Sequence, residues 1–259
     1  MCARRAKVAD KDSETDDILS RLNDQQRQAA CHGADPLLII AGAGTGKTTT
    51  LVHRVAWLIS QGVAPYRILL LTFTRRAAGE MLRRVDEALR QDDVGRQVWG
   101  GTFHGTGVRL LRLAGKMIGV NPRFTVLDQN DAEDLMAAIC RELDLGKKDK
   151  HFPKKRGCMA VHSYSVNAEL PLKKTLASQF PQHQDYAEPL EKLFEAYNQR
   201  KAERNLFDFD DLLMWSVRLF EENPDLREAY GQRFEHVLVD EFQDTNEAQY
   251  ALLKHLSSV

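Results

Sequence analysis

The stretch AGAGTGKTTT, Ala41 to Thr50, follows directly on an apolar run, PLLIIA (36–41). It leads into residues at helical spacing, Leu51, Val55, Leu58 and Ile59. A strand that breaks into glycine and restarts as a helix leaves few folds open. Glycines at 42, 44 and 46 allow backbone conformations closed to other residues. The N–H groups freed there turn inward as an anion cradle, and the helix start adds partial positive charge. This is the setting of a phosphate-binding loop, G-x-x-x-x-G-K-[ST], with Ala41 in place of the first glycine. In that reading Lys47 reaches the β- and γ-phosphates of ATP and the Thr48 hydroxyl ligates Mg²⁺. Gly42, Ala43, Gly44, Thr45, Gly46 and Thr49 complete the cofactor-binding loop. The bland alternative is a glycine-rich helix start with a solvated lysine and threonine; the strand–loop–helix context argues against it.

A second feature needs a cation. HVLVDEFQDT, His236 to Thr245, runs from an apolar strand into Asp240 and Glu241. Carboxylates at the end of a buried strand are costly unless paired. In a parallel sheet the loop after one strand and the end of a neighbour open on the same edge. Asp240 would hold the nucleotide's Mg²⁺ there, through water. Glu241, one residue on, would orient or deprotonate an attacking water. Upstream, in LNDQQRQAA (22–30), the Gln26 amide has the donor and acceptor needed to read adenine; an amphipathic helix rich in glutamine explains the segment equally well.

Between these motifs the chain alternates. ILLLTFT (68–74) reads as a second buried strand, followed by a helix carrying Ala78, Met81, Leu82, Val85 and Leu89. VWGGTF (98–103) reads as a third strand. The rhythm predicts an α/β fold with a parallel sheet. From about 105 to 230 the pattern is mainly helical, and strand signal returns at HVLVDE. The expected organisation is a flexible tail over 1–21, an α/β domain over 22–109 and 231–259, and a helical insertion over 110–230.

A formal charge of −1 does not point to a polyanion partner, although a neutral total can hide a basic face. The 4 cysteines form no C-x-x-C pair, so neither a zinc site nor a disulfide framework is expected. No apolar run has the length of a membrane span, and the polar N-terminus has no secretory h-region. A cytoplasmic protein without a membrane partner is the expectation.

Together these segments resemble the superfamily 1 DNA helicases of the UvrD/Rep/PcrA type. LNDQQRQAA looks like their glutamine motif and AGAGTGKT like their Walker A motif. TFTRRAAGEM (72–81) looks like motif Ia, and GTFHG (101–105) like the next DNA-contacting motif. FDFDDLL (207–213) resembles a segment of their helical insertion, and VLVDEFQDTNEAQY their motif II. The resemblance implies a RecA-like P-loop motor domain interrupted by a helical subdomain, and ATP-driven 3′-to-5′ movement on single-stranded DNA. It also implies contact with ss/ds junctions. Phe73, Thr74, Thr102, Phe103 and His104 match family positions that face the strand. Aromatic rings can stack on bases regardless of sequence, although spacing alone assigns Phe73 and Phe103 to the core.

Two departures stand out. Thr49 occupies a position where many relatives have arginine, and Arg75 and Arg76 replace Asn and Lys of motif Ia. The arginines read either as phosphate contacts or as a solvated helix start. The run Lys147, Lys148, Lys150, Lys154, Lys155 and Arg156 reads as a solvated loop or a duplex contact. Family members continue into a second RecA-like motor domain that carries arginines for phosphoryl transfer, worth about 10³–10⁵ in rate. The chain alone is therefore expected to bind Mg-nucleotide and single-stranded DNA weakly and not to unwind. Two alternatives are the motor portion of a RecB-like helicase–nuclease and a short nucleotide-responsive DNA-binding module without turnover.

Overall fold

The computed structural model describes residues 17–42, 44–147, 149 and 151–257. The chain divides into two compact units. One holds the residues up to Phe103, Asp225–Thr245 and the residues from Lys254 on; the other holds His104–Pro224 and Asn246–Leu253.

The first unit is built on a three-stranded parallel sheet in the order β2-β1-β5. These strands are β1 (Ile68–Thr72), β2 (Trp99–Thr102) and β5 (His236–Val239). Every residue of β1 is buried, as a central parallel strand apolar on both faces requires. Leu69 stands opposite Trp99 on one side and Val237 on the other. That register brings the end of the sequence beside its first third. The helices of this unit are α1 (Asp24–Ala30), α2 (Lys47–Ser60), α3 (Arg75–Leu89) and α10 (Pro224–Arg233), whose first residue falls in the other unit. In α3, Ala78, Met81, Val85 and Leu89 recur at intervals of three and four and are all buried. Behind β2, Trp99 meets Phe234 edge-on at 5.4 Å, with the Arg233 guanidinium 4.6 Å over the indole.

Two expectations are corrected here. PLLIIA forms no strand: Leu37 is 46% exposed, Leu38 67% and Ile40 89%. Apolarity favours burial, but a strand also needs a hydrogen-bond ladder. The ladder of β5 is formed with β1, and residues 36–41 join neither β5 nor any other strand. The tail expected over 1–21 is also too long. Ile18 and Leu19 are buried in the same core as Val55 and Leu70, and the Ile18 carbonyl lies 2.6 Å from Nδ1 of buried His53. Residues 1–16 lie outside the described residues.

The second unit is helical, with α4 (Phe103–Ala114) starting at the junction, then α5 (Gln129–Glu142), α6 (Lys155–Asn167), α7 (Leu172–Gln179), α8 (Ala187–Glu203) and α9 (Phe209–Glu222). Residues of α11 (Glu247–Leu256) fall in both units. A short parallel pair, β3 (Thr125–Val126) with β4 (Leu206–Phe207), has no counterpart in the sequence pattern. Two residues are too few for alternation to register. The helices α4 and α9 approach closely at Gly107, where an added Cβ would sit 2.8 Å from the Leu212 carbonyl oxygen and 3.1 Å from Ser216 Oγ. Gly107→Ala should destabilise this unit by about 1–3 kcal/mol, read as a lower urea midpoint; an unchanged midpoint would mean that the helices are not held this close. Among the described residues no helix is long and apolar enough to cross a membrane.

Candidate functional site

Because β1, β2 and β5 run parallel, their carboxyl ends open on one edge of the sheet. The Asp240 N–H donates to the Leu71 carbonyl at 2.8 Å, so the ladder carries the acidic pair to that edge. Asp240 is only 6% exposed. Burial, and then the neighbouring Glu241 charge, raise its carboxyl above the ordinary range. The charge of Lys47 and a hydrogen bond with the Thr48 side chain oppose that rise. The start of α2 and the end of β5, far apart in sequence, therefore meet at one buried carboxylate.

The loop before α2 has the backbone its glycines were expected to supply. Gly44 has φ of 75° and Gly46, the residue capping α2, φ of 85°. A side chain at Gly46 would be strained and would meet Gln26 Nε2 at 2.7 Å. No side chain caps α2, so its first-turn N–H groups have no side-chain acceptor. Lys47 Nζ donates to the carbonyls of Ala41 at 2.9 Å and Gly42 at 3.0 Å. The Thr45 hydroxyl donates to the Gly42 carbonyl at 2.7 Å. Thr49 is half-buried on the first turn of α2, and Ala43 lies outside the described residues.

Gln26 stands at this loop with its amide already engaged. Its Nε2 donates to the Thr45 carbonyl at 2.9 Å, and its Oε1 accepts from the Asn23 N–H at 3.0 Å in a reciprocal cap of α1. Sequence reasoning missed Arg54, which no motif marks. Its guanidinium donates to the carbonyls of Ala30 at 3.1 Å, His32, and Gly33 at 2.7 Å, anchoring the segment that leads from α1 to the loop.

Glu241 is exposed and adopts the left-handed conformation, φ 52°, uncommon for a non-glycine residue. Its carboxylate accepts from Gln243 Nε2, which also reaches Asp244 at 3.4 Å. Among the described residues no group of three or more His, Cys, Asp or Glu side chains is arranged to hold a metal ion by itself. A nucleotide-bound Mg²⁺ needs only one or two protein ligands, and the Thr48–Asp240 pair matches that smaller demand.

The residues expected to face DNA differ in burial. Phe73 is half-buried, whereas Phe103 is 1% exposed and Thr102 8%. The Phe73 and Phe103 rings are 5.9 Å apart. In this conformation Phe103 is a core residue, as spacing alone predicts, and not a stacking platform. Thr74 is exposed and caps α3, its hydroxyl accepting from the Ala77 N–H at 3.1 Å. Arg75 and Arg76 follow in the first turn, both exposed and in no close ion pair among the described residues, although the charge of Arg76 reaches Glu80. Cations at a helix N-terminus oppose its dipole, so the dipole does not explain them. In the second unit, His104 lies 5.0 Å from the Phe209 ring, its pKa lowered by burial and partly restored by Asp210.

A family model described as the UvrD/REP helicase N-terminal domain matches residues 22–259. Over 250 residues the chain is 40% identical to the ATP-dependent DNA helicase UvrD1 of Mycobacterium leprae, covering 96% of this chain and 32% of that relative. It is 36% identical over 249 residues to the ATP-dependent DNA helicase PcrA of Leuconostoc citreum, covering 93% and 31%. To PcrA of Staphylococcus aureus it is 35% identical over 242 residues. The chain thus spans about a third of the length of the curated relatives it matches.

Proposed function

The chain belongs to the UvrD/REP helicase family through its N-terminal domain, and on that premise we propose that it is the Mg-ATP-binding portion of a DNA helicase or translocase moving 3′ to 5′. One observation carries the reading: Lys47 and Thr48, at the start of a glycine-capped helix, meet the buried carboxylate of Asp240. The α/β unit is then a RecA-like P-loop domain and the helical unit its insertion.

The residues fit a nucleotide and its metal. Two left-handed glycines shape the loop, and the first turn of α2 carries no side-chain cap. Lys47, whose ammonium donates to loop carbonyls, can exchange them for phosphate oxygens. Asp240 is buried beside a second carboxylate, a site that a cation relieves. Thr48 and Asp240 would hold Mg²⁺; when bound, the ion neutralises charge on the phosphates. Glu241 orients the attacking water, its carboxylate positioned by the left-handed backbone and by Gln243. Gln26 holds the loop through the Thr45 carbonyl, and the remaining hydrogen and lone pair of its amide are free to meet adenine.

Phe73, Thr74 and the exposed Arg75 and Arg76 stand at the strand-end edge and are the DNA-facing residues this conformation favours. Thr102, Phe103 and His104 would need to be uncovered first. A second motor domain, which the family resemblance implies, would supply the rest of the catalytic surface. These 259 residues alone therefore bind Mg-nucleotide and single-stranded DNA weakly and do not separate strands.

Titration of the chain with a fluorescent ATP analogue, with and without Mg²⁺ and a single-stranded oligonucleotide, tests this reading. Saturable binding that strengthens with Mg²⁺ is expected. Binding indifferent to the metal, or ATP-dependent unwinding by the chain alone, would contradict it.

A further inference from the structure

The helical unit contains a cavity of about 560 Å³ between the C-terminal half of α5 and the first turn of α6. Its floor is apolar: Met136, Cys140, Phe152 and Cys158 are among its lining residues. Gly146 and Phe152, which follow α5, also line it. Gly146, at φ 70°, lets the backbone come so near Phe152 that an added Cβ would touch the ring at 3.0 Å. Phe152 also makes an edge-on contact with Tyr186 at 5.4 Å, and Tyr186 donates to Asp149 at 2.6 Å. Phe152 is therefore a braced part of the cavity lining. Its size falls within the roughly 300–1,000 Å³ of small-molecule sites.

The mouth is cationic. Arg141, Lys154 and Lys155 line it, with Asp134 as the one acid. Lys155 is paired with Asp134 at 2.6 Å. The side chains of Arg141 and Lys154 take part in no ion pair or hydrogen bond among the described residues, so two cations remain uncompensated at the opening of an apolar space. Helix α6 starts at the same mouth with no side-chain cap at Lys154, which adds partial positive charge.

We propose that this cavity binds a small organic anion with an apolar body, the body against Met136 and Phe152 and the anionic group between Arg141 and Lys154. An apolar floor selects for a hydrocarbon or aromatic portion, and uncompensated cations at the rim select for a carboxylate, sulfonate or phosphate ester. This site is independent of the nucleotide reading, because all its residues lie in the helical unit.

Decanoate serves as probe, with decanol and decylamine as its neutral and cationic counterparts. The full chain, labelled with ¹³C at the methionine methyls, is titrated and the Met136 resonance followed. Decanoate should saturate with a Met136 shift. Decanol should bind about tenfold more weakly, equivalent to about 1.4 kcal/mol, and decylamine more weakly still. The Arg141→Ala/Lys154→Ala double variant, altered only at exposed or rim positions, should lose that preference for decanoate while keeping decanol binding. Ala137→Phe, which fills the cavity from its lining, should abolish both; circular dichroism confirms that the variant folds. Absence of a saturable Met136 shift with decanoate would overturn the proposal, as would equal affinities for the three probes. So would displacement of the effect to other methionines, or a Met136 shift produced by duplex DNA and not by decanoate. The last result would make the basic rim a nucleic-acid contact.

Discussion

Replacing Lys47 with alanine abolishes measurable nucleotide binding and leaves the fold intact. The side chain is half-buried, and its hydrogen bonds are with two loop carbonyls, so its loss removes nothing from either core. It is also the cation whose field reaches Asp240. Truncating one member of a desolvated, hydrogen-bonded charge pair costs about 2–5 kcal/mol, or roughly 30- to several-thousand-fold in affinity. Lys47→Arg should not restore binding, because the planar guanidinium cannot occupy a point-charge position in a tight loop. A titration with the fluorescent ATP analogue reads both variants, and thermal melts confirm folding. Wild-type affinity in Lys47→Ala would remove the phosphate-binding role from this loop.

The second large effect lies in the helical unit, where Lys201→Met should cost about 3–5 kcal/mol of stability. Lys201 is 4% exposed, and its ammonium donates to Asp208 at 2.6 Å and Asp211 at 2.7 Å. Tyr197 donates to the same Asp208 oxygen at 2.9 Å. Asp208 and Asp211 also form the reciprocal cap that starts α9. One ammonium thus holds two neighbouring carboxylates, Asp208 buried and Asp211 half-buried. Burial alone would raise Asp208, but Lys201 outweighs it and the net shift is downward. Asp211 is raised to about 6, by burial first and by the Asp208 charge second.

The signs follow from linkage. The raised Asp211 binds its proton more tightly in the fold, so stability grows as pH falls through about 6 and is complete below the unfolded carboxylate value. The lowered Asp208 contributes stability above its unfolded value and loses it as pH falls through the depressed folded one. The Asp211 share of the helical unit's stability should therefore rise between neutral pH and about pH 5, while burial of His104 and His162, which lowers their pKa values, opposes it over the same range. Asp211→Asn should flatten that rise. Hydrogen exchange of α8 and α9 measures both effects. Unchanged protection in Lys201→Met would show that the lysine contributes no net stability.

The sequence announced those elements whose signal is local. β1 appears as an apolar run because a central parallel strand is buried on both faces, and α3 appears through its stripe of Ala78, Met81, Val85 and Leu89. PLLIIA shows the limit of that signal: apolarity was legible, but the ladder that makes a strand depends on a neighbour. The glycine loop and the acidic pair were legible as separate motifs. Their meeting depends on the pairing of β1 with β5, which no local pattern encodes. The cap formed by Asp208 and Asp211 is readable from its spacing. That Lys201 is buried beneath it is not, since lysine is ordinarily a surface residue. Phe103 was equally ambiguous, because an aromatic residue at a strand end serves packing or stacking until its exposure is known.

The most direct test is an experimental structure of the chain with Mg²⁺ and a non-hydrolysable ATP analogue. Lys47 Nζ should leave the carbonyls of Ala41 and Gly42 for phosphate oxygens, and the metal should lie between the Thr48 hydroxyl and Asp240. A nucleotide bound elsewhere, or a metal with neither Thr48 nor Asp240 in its coordination sphere, would contradict the account.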